Sequence, residues 1–175
     1  MSGVVLTSKY LEVFGAIIAA YARAEVGIRV TISALLKEDI AVAFVLSEPY
    51  SSIPLKKVAS SLAKIKLSEE YAKAFDSILD KIDAIRPIRN AIAHDIWVKG
   101  TRDNSIRPAR MNINAGLAKT FGFSDKESDY TVDELDKYVK ELLVLIDETK
   151  SFQEETGLAE VLNELNSHDE GQAAS

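Results

Sequence analysis

The chain has 175 residues, 47% of them hydrophobic, and no cysteine. A chain of that length can bury roughly 70% of the surface it exposes when unfolded, so disulfide scaffolds and cysteine-ligated zinc ribbons are excluded. With 27 acidic against 21 basic residues the formal charge is −6, which argues against coating nucleic acid over the whole surface and leaves a local basic patch to look for.

From Leu11 to Leu36 there is no proline, and Phe14, Ile18, Tyr21, Ile28, Ile32 and Leu35 recur at helical spacing, which predicts a long first helix. Its many alanines make it apolar on more than one side, as for a helix packed against several neighbours or a second subunit. The uncharged run Val13 to Ala22 is too short to span a bilayer, and Glu12 just before it speaks against a secretory signal. A cytoplasmic protein without a membrane partner is expected. Glu25 falls within the apolar seam and needs a polar partner, for which Arg86 and Arg89 are candidates. A second helix is predicted from Asp39 to Leu46. A third opens around Pro54 and ends near Ile65.

Ser68 followed by Glu69 and Glu70 reads as the capped, acidic start of a fourth helix. Pro87 predicts a kink or break, with helix resuming through Trp97 and stopping at Lys99-Gly100. Residues 101 to 130 read as loop with a short hairpin through Ile106 to Ile113. Thr131-Val132-Asp133-Glu134 matches a capping box that opens the last core helix, and its acids read as a dipole-matched first turn. The expected class is all-α: a bundle of four to five helices with a short loop or β-hairpin insertion before the last core helix. Residues 1–157 form the helical domain, and 158–175 an acidic helix and disordered tail. Between 147 and 170 the net charge is −7, suited to shielding a basic site or docking on a protein.

Most catalytic inventories are missing. His94 and His168 lie far apart with no cysteine between them, so neither a metal nor another cofactor is expected. No phosphate-cradling glycine loop and no nucleophile elbow is present. What remains is Ala84 to Gly100, AIRPIRNAIAHDIWVKG. At about 100° per residue, Ile85, Ile88, Ile92 and Ile96 share one stripe, and Arg86, Asn90, His94 and Trp97 lie opposite, with Arg89 at the boundary.

The run Arg89-Asn90-Ala91-Ile92-Ala93-His94 resembles the signature of the HEPN family: an arginine, a polar residue, and a histidine after four to six intervening positions. The resemblance covers residues 8 to 155, and only the six-residue core is specific; Asp95 stands where many relatives carry a small residue. It implies a HEPN-like bundle and a metal-independent endoribonuclease, a toxin or defence effector, acting as a homodimer that brings two motifs together. His94 is then the acid/base, Arg89 the phosphate clamp and Asn90 the positioning group. Arg86, Lys99, Arg102, Arg107 and Arg110 make the neighbourhood basic, with a net +4 over residues 86 to 110, and Trp97 is offered for stacking on an unpaired base of RNA. Two other readings stand beside this one. The chain could be a non-catalytic HEPN-like module acting through dimerisation or through RNA or protein binding. It could also be the nuclease subunit of a larger complex, or one held by an antitoxin.

Overall fold

In the computed structural model, which describes residues 6–47, 51–110, 122–123 and 129–172, the proline-free opening stretch forms one helix, α1 (Ser8–Leu36). The chain leaves α1 through Lys37 with a positive φ of 58°, and the Asp39 carboxylate caps the short α2 (Ile40–Ser47) by accepting from the Ala41 and Val42 amides. Helix α3 (Ser52–Lys66) follows, two residues before Pro54. The Ser68 hydroxyl accepts from the Tyr71 amide at 3.3 Å and opens α4 (Glu69–His94).

Of the two outcomes expected at Pro87, a kink or a break, helix α4 shows no break, and its end departs from the expectation. It runs through Pro87 without a break, because Ile85 and Ile88 on either side are buried and that burial outweighs the one backbone hydrogen bond the proline removes. It also ends at His94 instead of Trp97. Ile96–Lys99 is a strand, β1, whose Ile96 is 53% exposed and so lies outside the buried isoleucine stripe. The run Ile-Trp-Val suits a pleated strand as well as a helical turn, and pairing with β2 (Ile106–Arg110) decides the matter. A two-residue β3 (Gly122–Phe123) completes an antiparallel sheet of order β1-β2-β3. Residues 111 to 113 of the expected hairpin lie outside the described residues.

The capping box forms as read: the Thr131 amide donates to Glu134 at 2.8 Å and the Glu134 amide to the Thr131 hydroxyl at 3.3 Å, starting α5 (Val132–Glu155). Gly157, with φ 71°, turns the chain into α6 (Leu158–Gln172). The described residues thus hold six helices and one small sheet, against the four to five helices expected. The described residues include no helix long and apolar enough to cross a membrane.

These elements sort into two units. Unit 1 joins Met1–Ala20 to Ile85–Glu141, and unit 2 joins Tyr21–Ala84 to Leu142–Ser175. Unit 1 buries Phe14, Ile17, Ile85, Ile88, Trp97 and Ile106. Unit 2 is centred on Phe75, whose ring stacks on Phe152 at 5.0 Å, with Leu55, Leu79, Leu142 and Leu145 also excluded from solvent. A polar strut crosses this second core: Gln153 Nε2 donates to the Thr31 hydroxyl at 2.9 Å, and that hydroxyl donates to the Gly27 carbonyl. Phe75→Ala should cost about 3–5 kcal/mol, read as a fall in the urea midpoint with the slope unchanged.

Candidate functional site

The motif occupies the last turns of α4, within unit 1. Ile85, Ile88 and Ala91 are buried, and Arg86, Arg89 and Asn90 are half-buried on the remaining arc. Arg89 Nη1 donates to Asn90 Oδ1 at 3.1 Å, so the guanidinium and the amide are joined directly. His94 is the final helical residue and is exposed. Its ring is open to solvent at the point where the chain leaves the helix.

Trp97 does not share that exposed face. It is 7% exposed, its ring lies 4.7 Å from that of Phe14 and 6.1 Å from that of Tyr130, and its Nε1 donates to the Ala91 carbonyl at 3.2 Å. Trp97 therefore closes the apolar core of unit 1 and is not presented to a base. The acceptor it occupies belongs to the residue midway between Arg89 and His94 in sequence.

The basic residues expected to hold RNA are dispersed. In the β1–β2 ribbon Val98 pairs with Arg107 and Lys99 with Ile106, so alternation sends Lys99 and Arg107 to opposite faces. Lys99 is exposed and Arg107 half-buried. Arg110 ends β2, and its side chain lies outside the described residues. Arg102 is engaged: its two terminal nitrogens donate to Glu134 at 2.9 and 2.7 Å, and Nη2 also donates to the Asp129 carbonyl. Arg102 therefore belongs to a local ion pair with Glu134, in which both side chains stay partly exposed. For Glu25, expected to meet Arg86 or Arg89, the observed contact is the Ser52 hydroxyl, donating at 2.6 Å. His168 and the acids Asp169 and Glu170 also have side chains outside the described residues.

The sequence reading missed a clamp built on Asp129. This residue is 5% exposed, and its Oδ2 accepts from the Thr101 hydroxyl at 2.6 Å, the Arg102 amide at 3.0 Å and the Ser105 hydroxyl at 3.3 Å. Burial alone would raise its pKa, but these donors hold it below the usual carboxylate value. Gly100 lies against the clamp: a Cβ there would meet Ser105 Oγ at 2.1 Å and Asp129 Cγ at 2.9 Å. Glu134 is held down to about 2, chiefly by the Arg102 guanidinium and then by the Thr131 amide. A cleft of about 710 Å³ opens alongside, lined by Arg102, Tyr130, Glu134, Lys137 and Tyr138. Burial raises the Tyr130 pKa first, and the Tyr138 and Glu134 charges add to it. The sequence signal for all this was the capping box, which identified Glu134 as a helix cap without revealing its second partner.

No family model, no curated protein and no solved structure matches this chain.

Because Glu134 is more acidic folded than unfolded, where its value is near 4.5, its pairing stabilises the fold above that pH and the contribution is lost as pH falls toward about 2. Glu134→Gln should lower Tm at neutral pH and shrink the Tm difference from wild type across that acid window, followed by scanning calorimetry. Gly100→Ala should cost about 1–3 kcal/mol through overlap with Ser105 and Asp129, measured by denaturant titration.

Proposed function

We propose that the chain is a HEPN-like, metal-independent endoribonuclease acting as a homodimer, with Arg89, Asn90 and His94 as its working groups. The observation that carries the reading is the 3.1 Å bond from Arg89 to Asn90 with an exposed His94 on the last turn of the same helix. In the proposed reaction a base removes the proton of a ribose 2'-hydroxyl, and that oxygen forms a bond to phosphorus. The bond from phosphorus to the 5'-oxygen breaks, and an acid protonates the departing oxygen. The products are a 2',3'-cyclic phosphate and a 5'-hydroxyl, and no water is consumed.

Each step has a matching group. An imidazole near neutral pH can take or give the proton, and one from each protomer supplies both base and acid. A guanidinium offers paired donors to phosphate oxygens as charge builds on them. Asn90 holds the Arg89 fork in place, which matters because misplacement by an ångström is costly in rate. Arg86 sits one turn before Asn90 on the same arc and adds a cation for the strand. A toxin or defence effector acting on exposed, single-stranded RNA fits this small acidic chain with a local basic segment.

A second reading, a non-catalytic HEPN-like binding module, is favoured by two observations: Arg102 is paired with Glu134, and Lys99 and Arg107 lie on opposite faces of the ribbon. Incubating the purified protein with total RNA in chelator separates the two. The nuclease reading expects cyclic-phosphate ends, with cleavage falling at least about 100-fold in both Arg89→Ala and His94→Ala. Binding of RNA or a protein partner with no cleavage by wild type would leave the module. Growth arrest on expression, relieved by the same two substitutions, would identify a toxin.

A further inference from the structure

The cleft beside the Asp129 clamp has no part in the proposed nuclease chemistry. Its volume of about 710 Å³ is that of a small-ligand site. Glu134, Lys137, Tyr138 and Glu141 follow one another on α5 at intervals of three and four residues, so one face of that helix forms a wall, and Arg102, Asp129 and Tyr130 line the rest. The Tyr130 and Tyr138 rings lie 6.5 Å apart at 62° to each other and make a corner of aromatic surface. Tyr130 is fixed before any ligand arrives: its amide donates to the Ile106 carbonyl at 2.7 Å, its carbonyl accepts from the Ile106 amide at 2.9 Å, and Trp97 stands against its ring. Charge in the cleft is unevenly matched. Three carboxylates and two cations line it, and Arg102 pairs with Glu134, whereas Asp129 takes only neutral donors, two amides and two hydroxyls, all on Oδ2. Asp129 is 5% exposed, and its Oδ1 is buried with no hydrogen-bond partner among the described residues. A carboxylate in that state keeps its negative potential and is short of a donor.

We infer that this cleft binds a linear organic diamine or triamine in its ammonium form. Aromatic faces attract an alkylammonium group through cation–π attraction and pack the methylene stem beside it. Negative charge is centred at two places. One is the Asp129 end, where two carboxylates stand beside the Arg102 guanidinium; the other is the exposed Glu141, about 10 Å from Glu134 along the helix axis. Two ammonium groups on one aliphatic stem, as in spermidine, match that arrangement, with the stem laid across the tyrosine corner. An anion would meet a wall of net negative charge, and a neutral ring would leave the Asp129 charge unanswered.

This inference stands independently of the nuclease reading. Isothermal titration calorimetry of the full chain with spermidine should show one molecule bound per chain, with affinity falling as salt rises. Tyr138→Leu should weaken binding about three- to thirtyfold, the range of a lost cation–π contact, and Tyr138→Phe should leave it nearly unchanged. Glu141→Gln should also weaken it. Lys137→Gln, which removes a cation from the same wall, should tighten it. Lys137 and Glu141 are exposed, so their variants carry the test even where Tyr138→Leu loses stability. No uptake at millimolar spermidine overturns the assignment. So does uptake indifferent to the substitutions at 137, 138 and 141, the outcome of loose condensation on the acidic segment 147–170. Choline binding as tightly as spermidine would overturn the fit to two separated charges, and AMP binding more tightly would overturn the sign.

Discussion

The end of α4 depends on one buried indole. Trp97 fills the space beside Phe14 and returns its only polar atom to the Ala91 carbonyl, so the chain turns out of the helix immediately after His94 and enters β1. Two requirements meet in that side chain. A ring of this size stabilises a small core strongly, and its N–H must find an acceptor once water is gone. The Ala91 carbonyl already takes the Asp95 amide at 2.9 Å, and its second lone pair receives the indole. His94 consequently stands at a helix terminus, where the backbone is already turning, while Arg89 and Asn90 lie a full turn back in regular helix.

Charge is distributed less simply than composition suggested. Six cations between residues 86 and 110 look like a patch when counted along the chain. In space, strand alternation separates Lys99 from Arg107, and the Glu134 carboxylate occupies Arg102. Arg86 and Arg89 lie on α4 itself, with the motif. A ligand recognised here would be gripped by a few groups on one helix, and affinity for extended polyanions would be modest compared with a protein that tracks a phosphate backbone over many residues.

Much of the helical plan could be read from the residues, because caps and apolar periods are local signals. Ser68, the Thr131–Glu134 box and the proline-free opening each marked a helix within a few positions of where it lies. The errors arose where a local rule was outweighed by packing. Pro87 is tolerated because buried isoleucines flank it, and Ile96–Lys99 became a strand because β2 was there to pair with it. The same local reading put Arg89, Asn90 and His94 on one helix, and the bond found between the first two joins neighbours in sequence. The Asp129 clamp was not, since it joins Thr101 to a residue 28 positions later and no periodicity announces such a contact.

Glu134 serves two masters. It accepts from the Thr131 amide as part of the α5 cap, and it receives both terminal nitrogens of Arg102, which also reach back to Asp129. Fraying of the first turn of α5 would therefore cost Arg102 its carboxylate partner, while Asp129 still holds Thr101, the Arg102 amide and Ser105. The loop and the helix start are thus linked through one partly exposed ion pair, a weak coupling between segments that each keep their own hydrogen bonds.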